Sequence, residues 1–235
     1  MKQTYFRYSK PVLDRFSTLV GGVIMASAAV DEPAASLSSS FVEEQQLVKA
    51  RIGNTPLSEL KSLAAWRSAF RRFGVDPTQY RSAAEALLRR LTKQGDIPSL
   101  HPLVDIGNLV SIRYALPVAV FDARWIAGGI TVDFAVGNEA FSDLGGSESI
   151  HPDVGEVVFR DESRAIHARR WCWRQSVQSA AQLTTTDVLI TIEAHHEGAR
   201  PDVEHAVADV LGLLQQYAGV DASRSSSTIL SASSS

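Results

Sequence analysis

The apolar positions of this chain change their spacing several times, and each change marks an element. From Gly21 to Val30 the chain reads Gly-Gly-Val-Ile-Met-Ala-Ser-Ala-Ala-Val. Such a short, nearly unbroken apolar run predicts a buried strand, stopped by Asp31-Glu32-Pro33. Ahead of it, Tyr5, Phe6, Tyr8 and Phe16 stand out of a mixed segment as packing groups. Ala34 to Ser40 is small and serine-rich and predicts a loop, and Phe41 to Ile52 predicts a short helix. Leu57, Leu60, Leu63, Trp66, Phe70 and Phe73 then recur at steps of three and four, which marks one face of a helix. Gly74 and Pro77 stop it. Ser82-Ala83-Ala84-Glu85 has capping-box spacing, and the helix it opens turns Leu87, Leu88 and Leu91 inward as far as Gly95.

Pro98 and Pro102 bracket the next helix. Leu103, Ile106, Val110 and Tyr114 make its apolar stripe, while Asp105, Asn108 and Ser111 follow at i+3 steps on a neighbouring stripe. Asp and Asn compete for backbone hydrogen bonds and are poor in helix interiors. On so apolar a helix they read either as a buried polar cluster that ties loops together or as the lining of a pocket. Strand patterns follow at Val118 to Phe121 and, after Gly128-Gly129, at Ile130, Val132, Phe134 and Val136, which alternate with Thr131, Asp133 and Ala135. Gly137-Asn138 turns the chain, and Ser142 to Gly155 is a Gly/Ser/Asp-rich loop. Glu156 to Arg160, Arg169 to Trp173 and Val188 to Glu193 read as further strands. Pro201 opens the last helix, with Val203, Val207, Val210, Leu211, Leu214 and Tyr217 inward and Gly219 at its cap. The pattern predicts one α+β domain over residues 1–220, a mixed β-sheet flanked by helices. A disordered Ser/Ala-rich tail is expected over 221–235.

The composition, with 45% apolar and 21% charged residues, is that of an ordinary globular chain. A net charge of -3 supplies no global attraction to nucleic acid, so any such binding needs a local basic patch. The most basic part of the chain is the pair of helices that carries Arg67, Arg71, Arg72, Arg81, Arg89, Arg90 and Lys93. It reads either as a solvated face or as an RNA contact. The single cysteine, Cys172, has no disulfide partner in the chain, which favours a reducing compartment. No window approaches the roughly 18 consecutive apolar residues of a membrane span, and the N-terminus is a poor signal peptide. The expectation is a soluble cytoplasmic protein without a membrane association.

Nucleophilic catalysis has little support. There is no Gly-x-Ser-x-Gly elbow, and Cys172 between two tryptophans reads as an inert buried thiol. No glycine loop with its lysine is present to cradle phosphates. His195-His196-Glu197, with Glu193 and His205 nearby, lacks the spacing of metal-binding helices and reads as surface histidines, so no metal and no cofactor are expected. The stretch Arg169-Arg170-Trp171-Cys172-Trp173-Arg174-Gln175-Ser176 is different in kind. Its indoles offer stacking faces and its arginines planar donors, a mixture that suits an unstacked nucleotide. The competing reading is a strand whose indoles fill the core while its arginines reach water.

Taken in order, Trp66-Arg67…Phe70…Gly74…Pro77…Tyr80-Arg81…Glu85…Leu88-Arg89-Arg90, Leu103-Val104-Asp105…Asn108…Ser111, Pro117…Asp122…Gly128, Gly137-Asn138-Glu139…Phe141, Gly155-Glu156…Asp161 and Arg170-Trp171…Trp173-Arg174-Gln175-Ser176 resemble the free-standing B3/B4 domain proteins. These are similar to the tRNA-binding and editing module of the bacterial phenylalanyl-tRNA synthetase beta subunit. The resemblance spans roughly residues 12–218. It implies helices around a mixed sheet that encloses a pocket, and hydrolysis in trans of a mischarged, aromatic or related, aminoacyl-tRNA ester. It does not imply amino-acid activation or aminoacylation, since nothing in the matched stretches resembles the synthetase's catalytic domain. On this reading Asp105, Asn108, Glu139 and Arg174 are the catalytic candidates, orienting water, the substrate ammonium or the ester. Ser111, Trp171, Trp173, Gln175, Ser176 and Thr185 would contact substrate. Arg67, Arg71, Arg81, Arg89 and Arg90 would contact RNA. The partner is aminoacylated tRNA, with no DNA and no membrane. Residues 170–176 stand where the synthetase module has a glycine-rich pocket lining, so a tyrosine-selective pocket is not carried over. Two other classes stay open: a module that binds tRNA or an amino acid without turnover, and an enzyme acting on a small carboxylate independently of RNA.

Overall fold

The computed structural model describes residues 4–30, 35–143 and 149–232. The strand stop expected at Asp31-Glu32-Pro33 and the centre of the Ser142 to Gly155 loop lie outside them. In chain order the first half comprises β1 (Phe6–Tyr8), α1 (Lys10–Arg15), β2 (Val20–Ser27), α2 (Ala35–Ile52), α3 (Lys61–Arg72), α4 (Ala83–Gln94) and α5 (Pro102–Tyr114). Then follow β3 (Val118–Asp122), β4 (Ile130–Phe134), β5 (Phe141–Ser142), β6 (Ser149–Ile150), β7 (Val157–Arg160), β8 (Ile166–Arg169) and β9 (Arg174–Gln175). β10 (Asp187–Ala194), α6 (Ala199–Tyr217) and β11 (Ser225–Ser231) complete the fold.

The α+β class holds, with the strands divided between two main sheets. β11-β2-β10-β3 is antiparallel throughout, and β1-β4-β7-β8-β9 is mixed, with β1 and β4 parallel. Strand periodicity explains the layering. Along β10, Val188, Ile190, Ile192 and Ala194 enter a core shared with α2, α4, α5 and α6. On the opposite face, Leu189 joins Val23 and Phe121 in a second core with the mixed sheet and α3. Two glycines let β2 be covered closely on both faces. A Cβ at Gly22 would collide with Val203 and Val207 of α6, and one at Gly21 with the Tyr8 ring.

Between the sheets lies a buried carboxyl group. The Glu193 Oε1 accepts the Tyr8 hydroxyl at 2.9 Å and the Trp171 indole N–H at 2.9 Å, and the Glu193 carbonyl accepts the Trp66 indole N–H at 3.3 Å. Burial pushes the Glu193 carboxyl up to about 7, although both side-chain bonds act the other way. His195, two residues on, is also buried, which corrects the expectation of surface histidines. Its ring lies 4.5 Å from Trp66 and 4.9 Å from Trp171, and burial pushes its pKa down to about 3. His196 instead pairs with Asp202 at 2.8 Å.

Four other expectations are corrected. The Ala34 to Ser40 loop is helical from Ala35, because Leu37 extends the buried stripe of Phe41, Val48 and Ile52 and outweighs weak serine propensity. β4 stops at Phe134 and leaves Val136 60% exposed, because the Val136, Gly137 and Asn138 N–H groups all turn onto the Glu139 carboxylate. The last helix opens at Ala199, ahead of Pro201, after Gly198 in left-handed conformation (φ 78°). The tail expected to be disordered pairs along the free edge of β2 from Ser225 to Ser231. An open strand edge satisfies its backbone with whatever chain can reach it, and serine does not oppose extension. Ile229 and Leu230 then rest on the two opposite cores.

Two outcomes follow. The folded chain retains the Glu193 proton up to about pH 7, whereas the unfolded chain releases it near 4.5. The folded state therefore binds more protons in that window, and the stability contribution falls as pH rises through it, by about 3 kcal/mol in all. His195, held down to about 3, contributes the opposite trend between pH 5 and 6.5 in both the wild type and Glu193→Gln. Urea unfolding at pH 5 and pH 7.5 should therefore show the wild type falling relative to Glu193→Gln; the same pH dependence in both would refute it. Ending the chain at Arg224 should lower stability by about 2 kcal/mol, the worth of half-burying Ile229 and Leu230. Thermal melts would test this, and an unchanged midpoint would show that β11 adds nothing.

Candidate functional site

The segment expected to be a strand from Arg169 to Trp173 is a strand only at Arg169; residues 170–173 form the turn into β9. Arg170 and Trp171 both take left-handed conformations, with φ of 44° and 62°. Each costs about 1–2 kcal/mol for a residue with a Cβ. Burial of an entire indole offsets this. Trp171 is fully buried, packed edge-to-face on Phe16 at 4.9 Å and on Trp66 at 5.3 Å. Its backbone N–H reaches Val157 O at 2.6 Å, and the Arg170 N–H reaches Glu156 Oε1 at 2.7 Å. Trp171 thus belongs to the core, which corrects its expected role as a substrate-stacking group. The turn also anchors α4, since the Cys172 carbonyl accepts the Ala83 N–H at 2.8 Å. Burial raises the Cys172 thiol well above its ordinary value, and the Glu193 carboxyl adds to the effect.

Two residues later the chain faces outward. Trp173 walls a cleft of about 410 Å³ together with Gln175, α4, α5 and the edge of β3. Its floor is Val118 and Val120, and a Cβ on Gly107 would come within 2.9 Å of the Val120 side chain. That glycine lets α5 lie directly on β3. Gln175 closes the far side by donating to Val120 O at 2.7 Å and Ser179 O at 3.3 Å. Asn108 projects into the cleft half-buried, and among the described residues none hydrogen-bonds its amide. Arg90 lines the α4 side, its Nε donating to Asp96 O at 3.1 Å.

Cations surround the Trp173 ring, with Arg170 at 4.8 Å and Arg174 at 4.7 Å from its centre. Tyr80 meets the ring edge-on at 4.9 Å and carries Arg170 over its own face at 3.9 Å. Carboxylates hold these arginines in place. Arg174 pairs with Asp143 at 2.7 Å, Arg170 with Asp153 at 3.2 Å, and Arg169 grips Glu156 with two bonds of 3.0 and 2.8 Å.

The structure therefore brings Asn108, Trp173, Gln175 and Arg90 to one cleft and places the other candidates elsewhere. Asp105 is buried and accepts the Ser99 hydroxyl and the Leu100 N–H. Ser111 donates to Leu116 O at 2.7 Å, Ser176 to Ser142 O at 3.0 Å, and Thr185 to Asp122 at 2.7 Å. Of the two readings of the α5 polar stripe, loop-tying describes Asp105 and Ser111, and pocket lining describes Asn108. Burial disfavours the charge on Glu139, but the backbone N–H bonds it accepts hold the carboxyl below its ordinary value. Of the basic residues, Arg67, Arg81 and Arg89 line a second groove, and Arg71 lines neither.

Sequence reasoning missed Tyr80, Arg170 and Gly107, because only the fold shows which surfaces they join. It also missed His167, which lies 2.8 Å from Ser179 Oγ and 3.1 Å from Asp161 Oδ2. The trio has the composition of a catalytic triad, but Ser179 and His167 are completely buried. Asp161 also accepts the N–H groups of Ala127, Ser163 and Ala165. Burial opposes its charge, yet His167 and these donors hold its carboxyl well below the usual range. The trio braces loops.

A family model described as the B3/4 domain matches residues 65–218. The phenylalanine–tRNA ligase beta subunit of Photorhabdus laumondii is 30% identical over 86 residues, 37% of this chain and 11% of that protein. The same subunit from Geobacter metallireducens is 35% identical over 81 residues, 34% of this chain and 10% of that protein. That from Nocardia farcinica is 32% identical over 111 residues, 47% of this chain and 12% of that protein. The matches thus span about a tenth of those relatives' length. Among solved structures, an N-terminal fragment of the phenylalanyl-tRNA synthetase beta subunit from Pyrococcus horikoshii shares the fold with a TM-score of 0.50 at 12% identity. That likeness covers 96% of this chain and 54% of that one. Among the described residues no helix is long and apolar enough to cross a membrane. The family match runs from within α3 to the end of α6 and takes in every wall of the cleft: the chain belongs to the B3/4 domain family.

Proposed function

We propose that the cleft receives the aminoacylated end of a tRNA and hydrolyses a mischarged ester in trans. The observation that carries this reading is the unengaged Asn108 amide inside a cleft walled by Trp173 and floored by valines. The kinship with phenylalanine–tRNA ligase beta subunits supplies the substrate class. A cavity of about 410 Å³ suits an amino acid or a nucleobase.

In this reading Val118 and Val120 hold the amino-acid side chain, and Trp173 stacks on the terminal base. The Asn108 amide donates to the ester carbonyl. Water adds to that carbonyl, its proton passes to the departing ribose oxygen, and the C–O bond breaks to give the free amino acid and uncharged tRNA. No protein nucleophile is needed, because the rate comes from positioning and from donors to the oxyanion. Arg90 serves as a donor to the ribose or its phosphate, and Arg174, over the Trp173 ring and paired with Asp143, holds that ring in place. Asp105, Ser111, Glu139, Ser176 and Thr185 act by positioning the loops that carry these groups, and Arg67, Arg81 and Arg89 are left for RNA contact.

A second reading is favoured by one specific observation. Asp105 and Glu139, the carboxylates expected to orient water, are engaged by their own loops. Among the described residues the cleft lining holds no carboxylate or imidazole, which suits a module that holds the charged end without turnover.

Deacylation of a panel of correctly and incorrectly charged tRNAs separates the two. Under the first reading one ester disappears, Asn108→Ala slows it by about 100-fold, as for loss of an oxyanion donor, and both proteins melt alike. Trp173→Ala should weaken binding by about 1–3 kcal/mol, the worth of one stacked base. Saturable binding without turnover would establish the second reading, and absence of both would exclude either.

A further inference from the structure

α4 has two exposed stripes, and the cleft uses one of them. Ala83, Leu87 and Arg90 face the cleft. Arg89 and Lys93, with the buried Glu85 one turn before them and Arg81 just ahead of the helix, line a separate groove of about 470 Å³. α3 supplies Arg67 to it, and the loop from Gly53 to Ser58 closes its other side.

The electrostatics of this groove are unlike those of the chain as a whole. The net charge is -3, yet the groove sets four cations against the single carboxylate of Glu85. Glu85 is buried, paired with Arg67 and 3.8 Å from Arg81. Asp76 faces Arg71 and Arg67 from the loop after α3. That leaves Arg89 and Lys93, both exposed and, among the described residues, without an ion-pair or side-chain hydrogen-bond partner. Cations at the wall of a concave surface concentrate positive potential. Arg89 and Lys93 stand one turn apart, about 6 Å along the axis of α4. That separation lets the two free cations meet neighbouring phosphates of one strand. The fixed guanidinium forks and the mobile ammonium are complementary ways of meeting phosphate oxygens.

We infer that this groove binds the phosphodiester backbone of an RNA strand, with Arg89 and Lys93 as its principal contacts. The inference rests on the reading that an RNA end enters the cleft. α4 is the wall common to both sites, so a single RNA can engage its two stripes at once.

The test is the affinity of an unmodified tRNA transcript for the full chain, measured by fluorescence anisotropy over a range of salt concentrations. Both target residues are exposed, so Arg89→Glu/Lys93→Glu should melt like the wild type. It should lose on the order of tenfold in affinity per cation near 0.1 M salt, and the slope of log affinity against log salt should fall by about two. Arg89→Gln/Lys93→Gln should move the same way by less. If the charge-reversed protein keeps wild-type affinity and slope, the groove is not the backbone site, while the cleft reading survives. If groove variants lose affinity but no charged tRNA is hydrolysed, the groove stands and the hydrolytic reading falls. A wild type that binds no transcript overturns both.

Discussion

Everything in this fold converges on the side chain of Glu193. It leaves the face of β10 that looks toward the mixed sheet, where a strand would otherwise offer an apolar group. One of its oxygens takes the Tyr8 hydroxyl from β1 and the Trp171 indole from the turn after β8, while its carbonyl takes the Trp66 indole from α3. Three elements distant in sequence are thus tied to one residue between the two sheets. An unpaired polar group there would cost several kcal/mol, so the layers have one satisfactory way to meet. The group that makes them meet is itself held in a medium that disfavours its charge.

That junction determines where the cleft is. Trp171 is drawn inward, and the backbone accepts two left-handed residues to let it enter. The same turn brings Trp173 out two residues later, delivers Gln175 to the edge of β3, and offers the Cys172 carbonyl to the first turn of α4. The indole that packs and the indole that lines the cleft are therefore consequences of one geometry. The arginines on either side of them, Arg169, Arg170 and Arg174, are oriented by Glu156, Asp153 and Asp143, so the cationic surface around Trp173 is pre-arranged.

α4 carries the consequence outward. One stripe of it packs through Ala84, Leu88 and Leu91, and two others remain for solvent. The cleft side is mainly apolar and the groove side basic. An extended polyanion with an apolar or aromatic end has that same division of character.

The sequence alone determined the elements whose signal is local. The apolar run of β2, the i+3/i+4 stripes of α3, α4 and α5, the Ser82 cap and the Gly95 stop follow from side-chain period and backbone preference within a few residues. The resemblance carried by ordered residues pointed to the B3/4 family, and a family match over residues 65–218 agrees. The site was only half legible. Asn108, Trp173 and Gln175 share a cleft, whereas Asp105, Ser111, Ser176 and Thr185 are as polar in the sequence and serve the loops instead. Tertiary structure alone decided the rest. Residues 170–173 became a turn because a buried partner, 22 positions away in the chain, was available for one indole. The serine-rich end became a strand because β2 had an unpaired edge, and His195, just past the end of β10, became a core residue because Trp66 and Trp171 pack on its ring. A residue's type states which interactions it can make, and only the assembled layers state which of them are within reach.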